Sequence, residues 1–443
     1  MKKTVFILLL IFICALGFSA CTQETANDQN SAGAGQVNEL ETVYIGALLP
    51  LAGANAQTVQ DMQTAMQIAA DIINNRHDID WDLAQNSGLA DYGNARVELV
   101  FKDCGTSSKT AAAAATELIE MGVPVMVGAY DSDLTAAAAL PCFRNGIPMI
   151  CGSAKSIALT DGSTLFAENF NRIANTDALE TALFLDYINQ LNLTAKAGIK
   201  KVSIAYINND YGIHAADTLK TALAKTNLET VALISYEPGE TDLADKASKM
   251  IINEPDAILQ ISSTNDLISF ANFYAQAKYQ PKVALCYTGG FQSDEFATAV
   301  KNAGLDFYTG AMVCPDLSYT NPDAASAESD ENASAENTVI TAAARRVQAT
   351  AIFFYINNLY RERSGKDMSN AALLEFASVI VAAQAVNMAG TTDKDTLSAL
   401  LKEGDFPAPY LYSGSIAFDD NGQNSVMPAY LAAIINGKYS FVY

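Results

Sequence analysis

Histidine is almost absent from this sequence: its 443 residues include two, His77 and His214. A zinc site or a histidine acid–base pair therefore has little to be built from, and no HExxH occurs. There is no GxSxG elbow and no Walker A loop. Gly33 and Gly35, the nearest approach to a glycine fingerprint, fall in a polar N-terminal stretch. The cysteines beyond Cys21 are Cys104, Cys142, Cys151, Cys286 and Cys314, without a CxxC and without metal-ligand spacing. A cysteine nucleophile working with His214, as in a Cys-dependent hydrolase, is the remote catalytic alternative; buried thiols and a surface imidazole are the default. Basic residues are scarce too, 27 Lys and Arg against 49 Asp and Glu, for a net charge of −22. Nucleic-acid phosphates demand clustered Lys and Arg, so a nucleic-acid partner is excluded. These absences describe a protein that is not an enzyme, with no catalytic residue, no metal and no cofactor.

What is present describes an exported globular protein. Half of the residues are hydrophobic and 17% are charged, an ordinary balance for chains that bury a core. Lys2 and Lys3 precede an apolar run from Val5 to Ala15 and a small-residue end from Gly17 to Ala20. That is the layout of an export signal over residues 1–20. Cys21 follows Phe18-Ser19-Ala20, which resembles the lipobox of bacterial lipoproteins, with Phe18 where Leu is usual. The resemblance implies lipidation of Cys21 and a protein held at the outer face of the cytoplasmic membrane. Residues 21–41, rich in Ser, Gly, Asn and Gln, read as a flexible tether. Export permits disulfides. One or two bridges, or five buried thiols, are all compatible with the spacing.

The stretch from Val43 to Asn74 sets the grammar for the rest. Val43 to Leu49 is a β-rich apolar run, Gly53 to Asn55 is turn chemistry, and Val59, Met62, Met66, Ala69 and Ile73 form a helical stripe. Strand and helix patterns then alternate to Tyr287, predicting α/β architecture with two doubly wound parallel sheets. Ligands bind such sheets at the carboxyl ends of the strands. An acidic, small-residue segment, 320–337, reads as a surface insertion. Asp420-Asn421-Gly422 and Asn436-Gly437 carry hairpin-turn chemistry.

Five segments, taken in order, carry a family resemblance: IGALLPLAG, VPVMVGAYDSDLTAAAALP, GIPMICGSAKSIALTD, VSIAYINNDYGIHAAD and GSIAFDDNG. The chain from Val43 to Tyr443 resembles the extracytoplasmic solute-binding proteins of branched-chain amino acid type ABC transporters, with the type I periplasmic binding fold. The resemblance implies two lobes joined by a three-segment hinge. On that scheme residues 42–174 begin the first lobe and 175–310 the second. Residues 311–408 return to the first lobe, and 409–443 form the hinge return and complete the second. It also implies a small-molecule ligand, an amino acid or related carboxylate or amide, and permease subunits of an ABC importer as partner to a monomer. A membrane sensor presenting the same cleft is the alternative.

Carried over by position, the ligand carboxylate would be held by Ser132, Ser153, Ala154 and Lys155. Amides and hydroxyls at a strand end and helix start suit an anion on physical grounds as well. Ser132 could instead cap a helix beginning at Asp133. Lys155 stands where the family has a small hydroxyl residue; its ammonium pairs with a cleft carboxylate or points to solvent. Tyr211 would cover the ligand from the second lobe, with Thr264 and Asn265 at the rim. Gly289 occupies the position of the acid that generally holds a ligand ammonium. Asp131 and Glu375 are the acids that could replace it, and a ligand without an α-amino group stays open.

Overall fold

The structure, a computed structural model, describes residues 41–52, 56–312, 342–426 and 429–442. The signal, Cys21, the tether up to residue 40, the Gly53–Asn55 turn, Cys314 and the acidic insertion lie outside the described residues.

The first sheet is built by β1 (Thr42–Leu49), β2 (Arg96–Asp103), β3 (Val125–Val127), β4 (Met149–Cys151) and β5 (Phe170–Arg172). Its order is β2-β1-β3-β4-β5, parallel throughout. The connecting helices are α1 (Ala56–Asn74), the short α2 (Asp82–Gln85), α3 (Ser108–Glu120) and α4 (Ser132–Arg144). The α1 stripe is buried as its spacing predicts. Trp81, in the polar excursion, packs its ring 5.3 Å from that of Tyr410. Pro141 sits inside α4, which runs on to Arg144.

The second lobe holds α5 (Asp177–Thr194), β6 (Lys201–Ile207), α6 (Asp210–Leu223), β7 (Glu229–Tyr236), α7 (Ala244–Ile251), β8 (Ala257–Ile261) and α8 (Thr264–Gln276). β9 (Val283–Cys286), α9 (Thr288–Phe291), α10 (Asp294–Asn302) and β10 (Tyr308–Met312) follow. The chain then returns through α11 (Ala342–Ser364), α12 (Asn370–Ala389) and α13 (Lys394–Glu403). The last strands are β11 (Asp405–Ala408), β12 (Gly414–Ala417), β13 (Tyr430–Ile435) and β14 (Lys438–Phe441). The second sheet has the order β14-β13-β10-β9-β8-β6-β7. Its last two strands are antiparallel, a departure from the all-parallel expectation. Asn436 and Gly437, with φ of 53° and 76°, turn that final hairpin. Asp420-Asn421-Gly422, by contrast, closes only an isolated bridge between Phe418 and Asn424.

Helix α12 is buried along most of its length because it is apolar on every face, and it packs against α1 in the first-lobe core. The chain passes between sheets after β5, between β10 and α11, and between β12 and β13. Two of these passages are fastened together. The Arg172 amide donates to Gly422 O at 2.7 Å, and the Asn424 amide donates to Arg172 O at 2.9 Å. Gly422 has φ of 76°, and a Cβ there would meet Phe170 O at 1.9 Å, so only glycine fits.

Candidate functional site

In both sheets the strand order reverses beside one strand, β1 next to β3 and β6 next to β8, and the segments leaving these carboxyl ends converge. They line a cavity of about 200 Å³. At roughly 10–15 Å³ per water site on the same measure, that is room for a small organic solute. First-lobe lining includes Asp61, Asp131, Ser132, Ser153, Ala154 and Lys155. The second lobe contributes Asn209, Tyr211, Ser262, Ser263, Thr264 and Gln292.

Helix α4 begins one residue earlier than the sequence suggests. Asp131, not Ser132, is its cap, with the Asp131 carboxylate accepting from the Leu134 amide at 2.8 Å. Ser132 is thereby released for the cleft: its Oγ accepts from the Ser156 amide at 3.1 Å, and its own proton has no acceptor among the described residues. Ala154 is buried, and its amide donates to Cys151 Sγ at 3.4 Å. Ser153 lines the cavity but is engaged below, with Oγ 2.7 Å from Tyr130 O and 2.6 Å from Glu375 Oε1.

Lys155 follows neither expected course, since its partner is a carboxylate outside the cavity lining. It is buried, and Nζ lies 2.7 Å from Glu180 Oε1 and 2.5 Å from Asn175 Oδ1. Burial lowers its pKa and Glu180 opposes that. Asp177, one turn before Glu180, is pushed up to about 6, chiefly by burial. Arg172, fully buried, donates to Ser156 O, Thr160 Oγ1 and Gln423 Oε1, tying the loop after β4 to the fastened passages. Sequence reasoning missed Arg172 and Glu180; an Arg inside the short extended FNRI segment is the signal that was available.

Across the cleft, Tyr211 is placed by close packing at the start of α6. A Cβ on the next residue, Gly212, would meet Ile207 O at 1.9 Å, so glycine lets the helix abut the end of β6. The Asn209 side chain caps that helix through the Gly212 amide at 2.8 Å. The Tyr211 hydroxyl is buried and has no protein partner among the described residues. Thr264 lines the cavity, whereas Asn265 is exposed and outside the lining. Gly289 falls in the short helix α9.

Of the two suspected ammonium partners, Asp131 lines the cleft, and burial raises its pKa. Glu375 lies beneath the floor, fully buried behind Ser153. Three lining acids escaped the sequence reading: Asp61, Glu295 and Asp367. Lys366 Nζ sits 2.7 Å from Asp61 Oδ2 and 3.8 Å from Glu295 of the second lobe. Asp367 is held by Arg361 and Asn357.

Nothing nucleophilic is poised here. Cys104, Cys142, Cys151 and Cys286 are buried free thiols. Burial pushes Cys104 and Cys142 up to about 12 and Cys151 up to about 11, so they stay protonated. His214 is exposed, and among the described residues no group of His, Cys, Asp and Glu could hold a metal ion.

Two lobes enclosing a small cavity at their strand ends define a binding protein that clasps a solute. A family model described as periplasmic binding protein matches residues 42–438. The chain belongs to the periplasmic binding protein family, which binds solutes without transforming them and works outside the cytoplasm. It is similar to the branched-chain amino acid transporter substrate binding protein LivJ of Streptococcus pneumoniae, solved with isoleucine. The TM-score is 0.68 at 22% identity, covering 91% of this chain and 99% of that one. A solute binding protein of an ABC transporter from Rhodopseudomonas palustris, solved with benzoate, gives 0.68 at 16% identity over 90% and 95%. Leu/Ile/Val-binding protein homolog 3 of Brucella melitensis is 24% identical over 208 residues, 47% of this chain and 51% of that protein. The match thus spans about half the length of that relative.

Proposed function

We propose that the protein captures a small carboxylate-bearing solute, an amino acid or a related acid, in the interlobe cleft and delivers it to an ABC importer. A lipid on Cys21 holds it at the outer face of the cytoplasmic membrane. The observation that carries this reading is a pair of unspent donors lining one cavity: the Ser132 hydroxyl and the buried Tyr211 hydroxyl. A buried donor without a partner costs about 1–3 kcal/mol, which a ligand oxygen would recover. Asp131 beside Ser132 offers a counter-charge for an amino group. The ligands of the solved relatives, isoleucine and benzoate, share a carboxylate.

A thermal-shift panel of amino acids, plain carboxylates, amides and urea tests the solute class. A ligand at 100 times its dissociation constant stabilises by about 2.7 kcal/mol, a readable shift; a panel without any carboxylate hit sinks the reading. The anchor is tested separately: Cys21→Ser should move the protein from the detergent phase to the aqueous phase. Equal partitioning of both forms would rule the anchor out.

A further inference from the structure

The floor of the cleft contains a problem in proton counting. Ser153 Oγ stands 2.7 Å from Tyr130 O and 2.6 Å from Glu375 Oε1. A carbonyl oxygen can only accept, and a serine hydroxyl has a single proton. Were Glu375 ionised, one of these two contacts would set oxygen lone pairs against each other at hydrogen-bond distance. A protonated Glu375 satisfies both: the acid donates to Ser153 Oγ, and Ser153 donates to Tyr130 O. Ser378 does not supply the missing proton, since its Oγ lies 2.7 Å from Glu375 O and 3.3 Å from Oε2.

From this arrangement we propose that Glu375 is a positioning residue that carries a proton when no ligand is bound, and that carboxylate binding and that proton stabilise each other. The proposal rests on the carboxylate reading above. An ionised Glu375 places a negative charge one hydroxyl away from the cavity and turns the Ser153 proton toward the floor. A neutral Glu375 removes the charge and keeps Tyr130 O occupied. A bound carboxylate therefore favours the neutral acid, and where Glu375 is ionised in the free protein, binding draws one proton from solvent onto Glu375.

The surroundings agree with this assignment. Glu375 is fully buried, and burial lifts it to about 7 against the opposing hydrogen bonds from Ser153, Ser378 and the amides of Ser153 and Gly152. The titratable groups on the neighbouring elements include the Cys151 thiol on β4, Tyr130 and Asp131 after β3, Lys155 after β4, Asp61 on α1, and Asp133 on α4, which burial and Asp131 lift to about 6. Cys151 is itself pushed up partly by Glu375. Lys155 is paired with Glu180 and Asp61 with Lys366.

The test is titration calorimetry with isoleucine and with benzoate between about pH 5 and pH 9, in two buffers of unlike ionisation enthalpy. Affinity should be flat below about 7 and fall above it by up to about tenfold per pH unit, with proton uptake rising toward one per carboxylate. Glu375→Gln, whose amide reproduces the donor to Ser153, should flatten the profile and abolish this uptake. Identical profiles and uptake in both proteins would overturn the proposal.

Infrared spectra of the ligand-free protein decide the resting proton independently. At a pH about one unit below 7, the wild type should show a protonated-carboxyl band that Glu375→Gln lacks; superimposable spectra refute the assignment. If Glu375→Gln does not fold, Ser153→Ala should shift the same band by removing its hydrogen-bond acceptor, and an unmoved band refutes it. If neither isoleucine nor benzoate binds, the functional reading for these solutes fails while the infrared result still stands.

Discussion

The two walls of the cleft differ in kind. The first-lobe wall carries charges that are paired within the protein, Lys155 with Glu180 and Asp61 with Lys366, and Asp131, which also caps α4. The second-lobe wall is mostly neutral, with Asn209, Tyr211, Ser262, Ser263, Thr264 and Gln292, and Glu295 as its exception. A charged group held in fixed partnership sets a local field without moving, while neutral hydroxyls and amides can be desolvated cheaply as lobes approach. On the proposed carboxylate reading, recognition of ligand charge falls to the first lobe and coverage to the second.

The largest effect that would break this contrast is loss of the buried cation. Lys155→Ala removes the ammonium from a fully buried ion pair with Glu180 and should cost roughly 3–5 kcal/mol of folding stability, read from denaturant midpoints. A loss below about 1 kcal/mol would mean that the pair is not what neutralises this wall. Next comes Ser132→Ala, which removes an unspent donor facing the ligand. Binding of a carboxylate should weaken about ten- to a hundredfold, roughly 1.5–3 kcal/mol. Calorimetric affinities that agree within error would remove Ser132 from the anion site.

Tyr211→Phe sharpens the comparison from the other side. Its hydroxyl has no protein partner among the described residues, so stability should hold or rise slightly while affinity falls about two- to tenfold. A stability loss with unchanged affinity would make Tyr211 a packing residue. Smallest of all is Asn265→Ala, expected within about 0.5 kcal/mol of wild type in both stability and binding. A larger binding change would show that the rim extends further along α8 than its lining indicates.

The sequence revealed the alternation of strands and helices because period-2 and period-3.6 patterns are local. Ser132, Ser153, Ala154, Lys155, Tyr211 and Thr264, all of which reach the cavity, were named from the family resemblance carried over by position, with strand ends and helix starts as the physical support. Pairings across the fold were not legible. Lys155 and Glu180 are 25 residues apart, and Ser153 and Glu375 are 222 apart; no local pattern encodes either contact. Asn265 failed for a geometric reason. Helix α8 starts at Thr264, and one residue onward the side chain has turned by about 100°, away from the cavity. The antiparallel edge is a mixed case, its Asn436-Gly437 turn readable and its seat beside β10 not.

The central claim is that the first-lobe wall reads a carboxylate. Its most direct test is calorimetric titration of the wild type with the best carboxylate solute from the thermal-shift panel and with that solute's primary amide. The account predicts that the acid binds at least about tenfold more tightly, the worth of one charge-assisted hydrogen bond. Equal affinities, or a preference for the amide, would contradict it.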